Sequence, residues 1–494
     1  MALRIYNTLT HQKEPFLPAN DPVRFYCCGM TPKFFPHLGH GRLFVSMDVL
    51  RRYLLERGYQ VRYVQNFTDV DDKIIARATQ EGLDPATVAQ KYTDGYFQSM
   101  EALNVLPADV YPKATETIPG IISMIDGLVA RGYAYAPGNG DVYYRVAAFP
   151  SYGKLSHRTE EDVQPGARIA VEEQKGDPRD FALWKAAKEG EPRWQSPWGY
   201  GRPGWHIECS AMVRQELGDQ IDIHAGGPDL IFPHHENEIA QSEAFTGCEP
   251  FAQYWVHIGQ LNVNNEKMAH STENFTTILA VLERYHPVVL RLYYLTQHYR
   301  TPSNFTDDSL EVTRRAAERL VMARRSLSAL RAIAAASAPP ALSGVPQPSA
   351  AGALQRQLNQ ARREFYEAMD DDFNTAVALT TLYGLSREIN RLRDSTPLPG
   401  DAQEWAIVLD DIARTFEHFL AILGLQVPAS AAELVRGAAS GGPSDAEIEA
   451  LVAKRAELRR QRRWADADAV RARLADQGIS VEDRADGAVW RRGG

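Results

Sequence analysis

The stretch from Tyr26 to Arg42, Tyr-Cys-Cys-Gly-Met-Thr-Pro-Lys-Phe-Phe-Pro-His-Leu-Gly-His-Gly-Arg, constrains the fold more than any other part of this chain. Before it, Val23 to Cys27 is a short run of strand-favouring residues. After it, Leu43, Met47, Leu50 and Leu54 recur at helical spacing and mark one apolar helix face. Gly58 ends that helix, and Tyr59 to Asn66 reads as a second strand. Strand, loop, helix and strand in that order make the unit of a parallel sheet with a right-handed crossover. The loop then lies at the carboxyl edge of the sheet, where α/β folds bind ligands and where a helix amino end favours anions.

The sheet pattern returns late, with Ile221-Asp-Ile-His-Ala, then Gly226-Gly227, a helix from about His234 and a strand from Tyr254 to Leu261. Between the two halves, Gly132 to Tyr200 changes character: a hairpin is expected around Asn139-Gly140, ahead of a tract rich in Trp, Pro and Gly. This segment reads as an insertion that interrupts the sheet. The acidic run Asp69, Asp71 and Asp72 follows the second strand, and at least one of the three is expected to cap the next helix.

From Ser309 onward the pattern is almost wholly helical. Ala316, Leu320, Ala323, Leu327 and Leu330 form one stripe, Ala378, Leu382, Leu385, Ile389 and Leu392 a second, and Leu409, Ile412, Phe416, Phe419 and Leu423 a third. Such stripes mark a helix bundle. Ala336 to Gly352 reads as a loop, Ala429 to Gly442 as a mobile linker, and Ser444-Asp-Ala-Glu447 as a capping box. The helices beyond carry Lys454, Arg455, Arg459, Arg460, Arg462, Arg463, Arg471 and Arg473, beside Trp464 and Trp490-Arg491-Arg492. A charge run of this kind is either a solvated face or a nucleic-acid contact.

At 494 residues the chain is too long for one core, and length alone suggests about three or four domains. A net charge of −9 argues against a uniformly basic nucleic-acid binder, yet leaves room for a local basic face. Four cysteines, Cys27, Cys28, Cys209 and Cys248, are too few and too scattered for a disulfide framework, which points to reduced thiols and the cytoplasm. No run of about 18 apolar residues is present, so no membrane segment is expected.

Four residues could hold a metal: Cys28, Cys209, His234 and Glu238. His234 and Glu238 are four apart, which on a helix puts both on one face. Two thiolates, an imidazole and a carboxylate suit zinc. There is no Cys-x-x-Cys, and each cysteine taken alone reads as a small buried hydrophobe.

Several motifs carry a resemblance. His37-Leu-Gly-His40 is similar to the first signature of class I aminoacyl-tRNA synthetases. Together with Gly204-Trp-His-Ile-Glu-Cys-Ser210, the block from Ile223 to Gln241, Asp370-Asp-Asp-Phe-Asn-Thr375 and Trp490-Arg491-Arg492, it resembles the cysteinyl-tRNA synthetase family. The resemblance implies a Rossmann-like α/β catalytic domain (1–120 and 201–262) with a connective insertion (121–200). After these come a stem-contact region (263–308), a helical bundle (309–428) and a small α+β anticodon-binding region (443–494). It implies one zinc on Cys28, Cys209, His234 and Glu238, with Thr68, Trp205 and His224 around the substrate cysteine. Gly39 and Asp229 belong to the ATP site, and Arg459, Arg463, Trp490 and Arg491 to the tRNA surface. His37, His40, Lys267 and His270 act on the phosphates of ATP, which arrives with magnesium. The activity implied is that of a monomeric ligase that forms cysteinyl-adenylate and transfers it to the 3′ end of tRNA(Cys).

Two departures stand out. The family's mobile phosphate loop, Lys-Met-Ser-Lys-Ser, is here Lys267-Met-Ala-His-Ser271, and its usual Thr-Val-Tyr-Asp is Thr31-Pro-Lys-Phe34. A ligase that joins cysteine to an aminosugar shares the same core but stops short of the long basic C-terminal region. A relative that binds tRNA or zinc without forming adenylate is the rival from outside the enzymes.

Overall fold

The computed structural model describes the chain except for residues 1, 159–174, 268–274, 337–348, 395–397, 399–400, 437–444, 462, 477–478, 485–486 and 493–494. It divides into two units, Met1–Leu434 and Val435–Gly494.

The first unit is built on a four-stranded parallel sheet in the order Ala252–His257, Ile221–Gly226, Val23–Met30, Val61–Phe67. Helices cover both faces, so nearly every residue of Val23–Met30 and all of Ile221–Gly226 are buried. The chain starts on an inner strand, moves out to Val61–Phe67, and returns on the other side. That places the topological switch between Val23–Met30 and Ile221–Gly226, and the crevice at their carboxyl ends is where such a sheet takes a ligand.

The expected signature helix runs from Leu38 to Glu56 and buries Leu43, Met47, Leu50 and Leu54. Gly41 is required by packing, because a Cβ there would come within 2.5 Å of the Tyr294 hydroxyl on the helix Pro287–Leu295. Gly58, with φ +84°, closes the turn that leads into the next strand. Of the three acidic candidates, Asp71 caps the helix Asp72–Glu81 by accepting from the Lys73 N–H at 2.8 Å. Asp69 instead holds the Thr115 N–H at 3.0 Å, and Asp72 pairs with Lys185 and Arg202.

The insertion is a five-stranded antiparallel sheet spanning Ala134 to Pro203, and the hairpin around Asn139-Gly140 joins Ala134–Tyr135 to Val142–Tyr144. The single strand expected from Tyr254 to Leu261 is two. Ala252–His257 belongs to the parallel sheet, while Leu261–Val263 pairs with Ser303–Phe305 and with Glu266–Lys267. Arg42 makes the break: its buried guanidinium donates to the carbonyls of Gly259 (3.1 Å) and Gln260 (3.2 Å) and to Ser303 Oγ (2.6 Å), which turns the chain out of the sheet. The helix expected from His234 begins at Glu236. Ile231–His235 is a wider turn in which Phe232 is extended, with φ −137° and ψ 131°.

The bundle consists of Asp307–Ala336, Ala350–Asp370, Thr375–Asp394 and Ala402–Ile422, and all three sequence stripes lie in its core. It joins the α/β part through Tyr53, whose hydroxyl donates to Asp370 at 2.7 Å, and through Asp372 in the following turn. The stretch expected to be a mobile linker from Ala429 is partly built. Ala431–Leu434 forms a helical turn because Leu434 is fully buried and its carbonyl accepts from the His286 N–H at 3.0 Å. Residues 437–442 and the Ser444 of the capping box lie outside the described residues.

The second unit has its own small core. Helices Asp445–Arg460 and Trp464–Asp476 and the hairpin of Ile479–Arg484 with Gly487–Arg492 enclose Ile448, Val452, Leu474, Ile479 and Val481.

Candidate active site and metal centre

The signature loop ends in two histidines that cap their own helix. His37 Nδ1 accepts from the N–H groups of Gly39 (3.0 Å) and His40 (3.3 Å), and His40 Nδ1 accepts from the His37 N–H (3.3 Å). An acceptor nitrogen carries no proton, so each neutral ring bears its hydrogen on Nε2. The rings stack with centroids 3.8 Å apart. Burial holds His40 down to about 4, with Lys33 acting in the same direction and Asp229 against it, so His40 is a neutral donor near pH 7.

Both histidines line a cavity of about 350 Å³ with Gly39, Asp229, Lys33, Lys73 and Trp205. Lys267 pairs with Asn262 across a short antiparallel ladder beyond this cavity's Leu261. His270 lies outside the described residues. Thr68 and His224, expected around the substrate, are buried and are not among the lining residues.

Behind Trp205 the four metal candidates converge. Cys28 comes from the first strand, Cys209 from the helix Trp205–Leu217, His234 from the wide turn and Glu238 from the helix Glu236–Thr246. Each offers a ligand atom, all within 4.8 Å of one another, and all four side chains are buried. Cys28 Sγ is 4.0 Å from Cys209 Sγ and 3.6 Å from Glu238 Oε1, and His234 Nε2 is 3.0 Å from Glu238 Oε1. Trp205 stacks on His234 at 4.3 Å and so joins the donor set to the cavity.

The electrostatics suit a cation. Burial works against charge on Glu238, yet His224 and His234 hold its carboxyl down at about 2. Burial also opposes charge on His234, but Glu238 and Cys209 raise it to about 10. The hydrogen bond from Cys28 brings the Cys209 thiol down to about 6. Burial, followed by Cys209 and Glu238, pushes the Cys28 thiol well up. Two thiols and a carboxylate enclosed together form a set that a soft divalent ion neutralises.

Three histidines in the same layer escaped the sequence reading. His235 Nε2 reaches Cys28 Sγ at 3.4 Å, and with Cys28, His224 and Glu238 it makes a second possible donor set. His257 bridges His235 (2.7 Å) and Thr8 Oγ1 (2.9 Å), and His206 meets His234. The doublet His234-His235 was the available signal, but only one of the two fits an i, i+4 relation to Glu238.

Of the residues expected at a tRNA surface, Arg463 is exposed and paired with Asp466 at 2.7 Å, and the Arg459 guanidinium lies 5.9 Å from the Trp464 ring centre. Trp490 packs against the small core, and Arg491 pairs through its backbone with Ser480.

Comparison with known proteins decides the family. Residues 16–315 match the model of the tRNA synthetases class I (C) catalytic domain, 364–427 the DALR domain, and 443–491 the cysteinyl-tRNA ligase anticodon binding domain. The chain belongs to the cysteine–tRNA ligase family. The cysteine–tRNA ligase of Heliobacterium modesticaldum is 47% identical over all of both chains, and that of Symbiobacterium thermophilum 48% over all of both. The ligase of Dehalococcoides mccartyi strain BAV1 is 45% identical over 99% of each. The fold is that of Mycobacterium tuberculosis methionyl-tRNA synthetase in complex with methionyl-adenylate, with a TM-score of 0.61, 17% identity, and coverage of 83% of this chain and 93% of that one. Among the described residues no helix is long and apolar enough to cross a membrane.

Proposed function

We propose that this chain joins L-cysteine to tRNA(Cys) in two steps, forming cysteinyl-adenylate from cysteine and ATP and then transferring the cysteinyl group to the 3′-terminal adenosine. The observation that best supports this reading is the enclosed pair of thiols with His234 and Glu238, opening through Trp205 onto the cavity that the two signature histidines line. Zinc on Cys28, Cys209, His234 and Glu238 would favour a ligand offering a thiolate over one offering a hydroxyl.

The remaining chemistry falls to the chain's own groups. In the first step a cysteine carboxylate oxygen bonds to the α-phosphorus of ATP while the bond to the bridging oxygen breaks and pyrophosphate leaves. His37 and His40, each with its proton fixed on Nε2, are preorganised donors for the charge that develops on the phosphates. Magnesium accompanies the nucleotide, Gly39 lets it approach the helix amino end, and Asp229 stands across the cavity. Lys267 and His270 bring the phosphate loop. Trp205, Thr68 and His224 surround the amino acid. Arg459, Arg463, Trp490 and Arg491 meet the tRNA. Because one chain supplies every group named, a monomer suffices, and four unpaired cysteines suit the reducing cytoplasm.

The test is cysteine-dependent exchange of pyrophosphate into ATP, followed by charging of a tRNA(Cys) transcript. Exchange with cysteine but not serine, together with charging, is expected. Exchange without charging would favour the aminosugar ligase, and neither would favour the idle relative.

A further inference from the structure

Thr31-Pro-Lys-Phe34 departs from the family pattern, and the chemistry above leaves it without a role. The structure puts it in the wall of the active-site cavity. Lys33 is half-buried there, in the same wall as His37, Gly39 and His40. Its position is built from both sides. The Lys33 N–H closes a tight turn onto the Thr31 carbonyl at 2.9 Å. Phe34 is then clamped, with the Arg77 guanidinium 4.6 Å from its ring centre and the rings of Tyr92 and Phe275 at 6.1 and 5.9 Å.

A second ammonium faces the same space. Lys73, in the first turn of Asp72–Glu81, lines the cavity with its Nζ 5.9 Å from the Trp205 ring centre. Among the described residues no carboxylate lies within ion-pair distance of either lysine. Of the nearby carboxylates, Asp71 is committed to the helix cap and Asp229 occupies the cavity wall. Burial pushes the Lys33 ammonium down and Lys73 adds to that effect, while Asp71 opposes it. Two ammonium groups in one partly enclosed space, neither in ion-pair contact with a described carboxylate, form a site in which an anionic ligand supplies the missing partner.

We propose that Lys33 binds the polyphosphate tail of ATP and the departing pyrophosphate, with Lys73 flanking it. This rests on the reading that the cavity takes ATP. As the α-phosphorus gains the cysteine carboxylate oxygen and loses the bridging oxygen, the electron pair leaves with pyrophosphate, and the Lys33 ammonium offsets the charge that grows there. A permanent cation at this point compensates for the histidine that stands second in Lys267-Met-Ala-His-Ser271.

The test is exchange kinetics in the absence of tRNA for Lys33→Gln and Lys33→Arg. Lys33→Gln should lower kcat/KM for ATP by about 10² and raise KM for pyrophosphate about tenfold or more, leaving KM for cysteine unchanged, and Lys33→Arg should restore most of both. Unchanged ATP and pyrophosphate constants would overturn the proposal. So would a defect confined to tRNA charging, which would mean that Lys33 meets a tRNA phosphate instead. Direct calorimetric binding of pyrophosphate separates this proposal from the wider reading. A chain that binds pyrophosphate through Lys33 yet exchanges none with cysteine would sink the cysteine reading and keep this one.

Discussion

His206 Nδ1 stands 2.9 Å from His234 Nδ1, while His234 Nε2 faces Glu238 at 3.0 Å. Burial keeps His206 well below the usual imidazole range while His234 is raised to about 10, so His234 Nδ1–H donates and His206 Nδ1 accepts. That leaves Nε2 of His234 to face the thiols and the carboxylate. Outer partners of this kind fix the tautomer of a ligand imidazole, and their loss costs about 10 to 100-fold in metal affinity. His206→Ala should weaken zinc binding by that amount, and His206→Gln, which keeps an acceptor, by less. Chelator competition on the folded protein measures both, and equal affinities in all three proteins would refute the assignment.

One tightly held zinc per chain is expected, with Cys209 as a ligand. The thiol is already held down at about 6 by the hydrogen bond from Cys28, so a thiolate is within easy reach at neutral pH. Cys209→Ser should lose metal and cysteine affinity together. Elemental analysis with calorimetric cysteine titration reads both quantities, and normal cysteine binding in a zinc-free mutant would count against the role given to the ion.

Asp372 is the junction between catalytic part and bundle. Its buried carboxylate accepts from the Tyr6 N–H (2.9 Å), the Tyr299 hydroxyl (2.7 Å) and Arg300 (2.7 Å), and its φ is +66°. Asparagine tolerates that backbone conformation and keeps the oxygen, whereas alanine does neither. Asp372→Asn should cost about 1–3 kcal/mol and Asp372→Ala at least ~1 kcal/mol more. Melting temperatures of the two variants decide this, and an alanine variant as stable as the asparagine one would contradict it.

Acid should destabilise the first unit through His257. Burial, with His224 adding to it, holds this imidazole down at about 3, against roughly 6.5 in the unfolded chain. Since the unfolded state binds the proton more readily, this stabilising contribution is complete above about pH 6.5 and declines as pH falls toward the folded value. Between about pH 7 and 5 the loss from this group is roughly 1–2 kcal/mol. His257→Asn should flatten the decline in melting temperature over that range, and a mutant profile parallel to the native one would disprove the attribution.

Much of this was legible because the signals were local or motif-bound. Strand, loop, helix and strand around His37 and His40 follow from period and composition, as do the three bundle stripes. Cys28 and Cys209 were not legible from spacing, since 181 residues separate them and only the fold brings their sulfurs to 4.0 Å. The break after His257 was hidden for a related reason. Its partners are remote: the Arg42 guanidinium, more than 200 residues away in sequence, holds the Gly259 and Gln260 carbonyls, and the Gln260 carbonyl also accepts from the Ser303 N–H at 2.9 Å. Leu434 was read as part of a linker because several of its neighbours are small or polar, although its side chain is buried in the main core.

The final prediction concerns the separability of the C-terminal unit. Its core of Ile448, Val452, Leu474, Ile479 and Val481 comes wholly from residues beyond the division at Leu434. The cavity residues and all four metal candidates lie before it. A cut at Leu434 itself would be unsafe, because that side chain is fully buried and its carbonyl holds the His286 N–H that opens the helix Pro287–Leu295. Truncation after Arg436 keeps both contacts and removes the basic helices with Trp490. Such a protein should retain pyrophosphate exchange within about twofold of the full chain, because no group assigned to adenylate formation is lost. Its kcat/KM for tRNA(Cys) should fall by about 10² or more, since removing several cationic phosphate contacts, each salt-sensitive, weakens RNA binding steeply. Exchange and charging measured side by side on both proteins separate the two effects, and full charging efficiency in the truncated chain would show that Arg459, Arg463, Trp490 and Arg491 do not meet the tRNA.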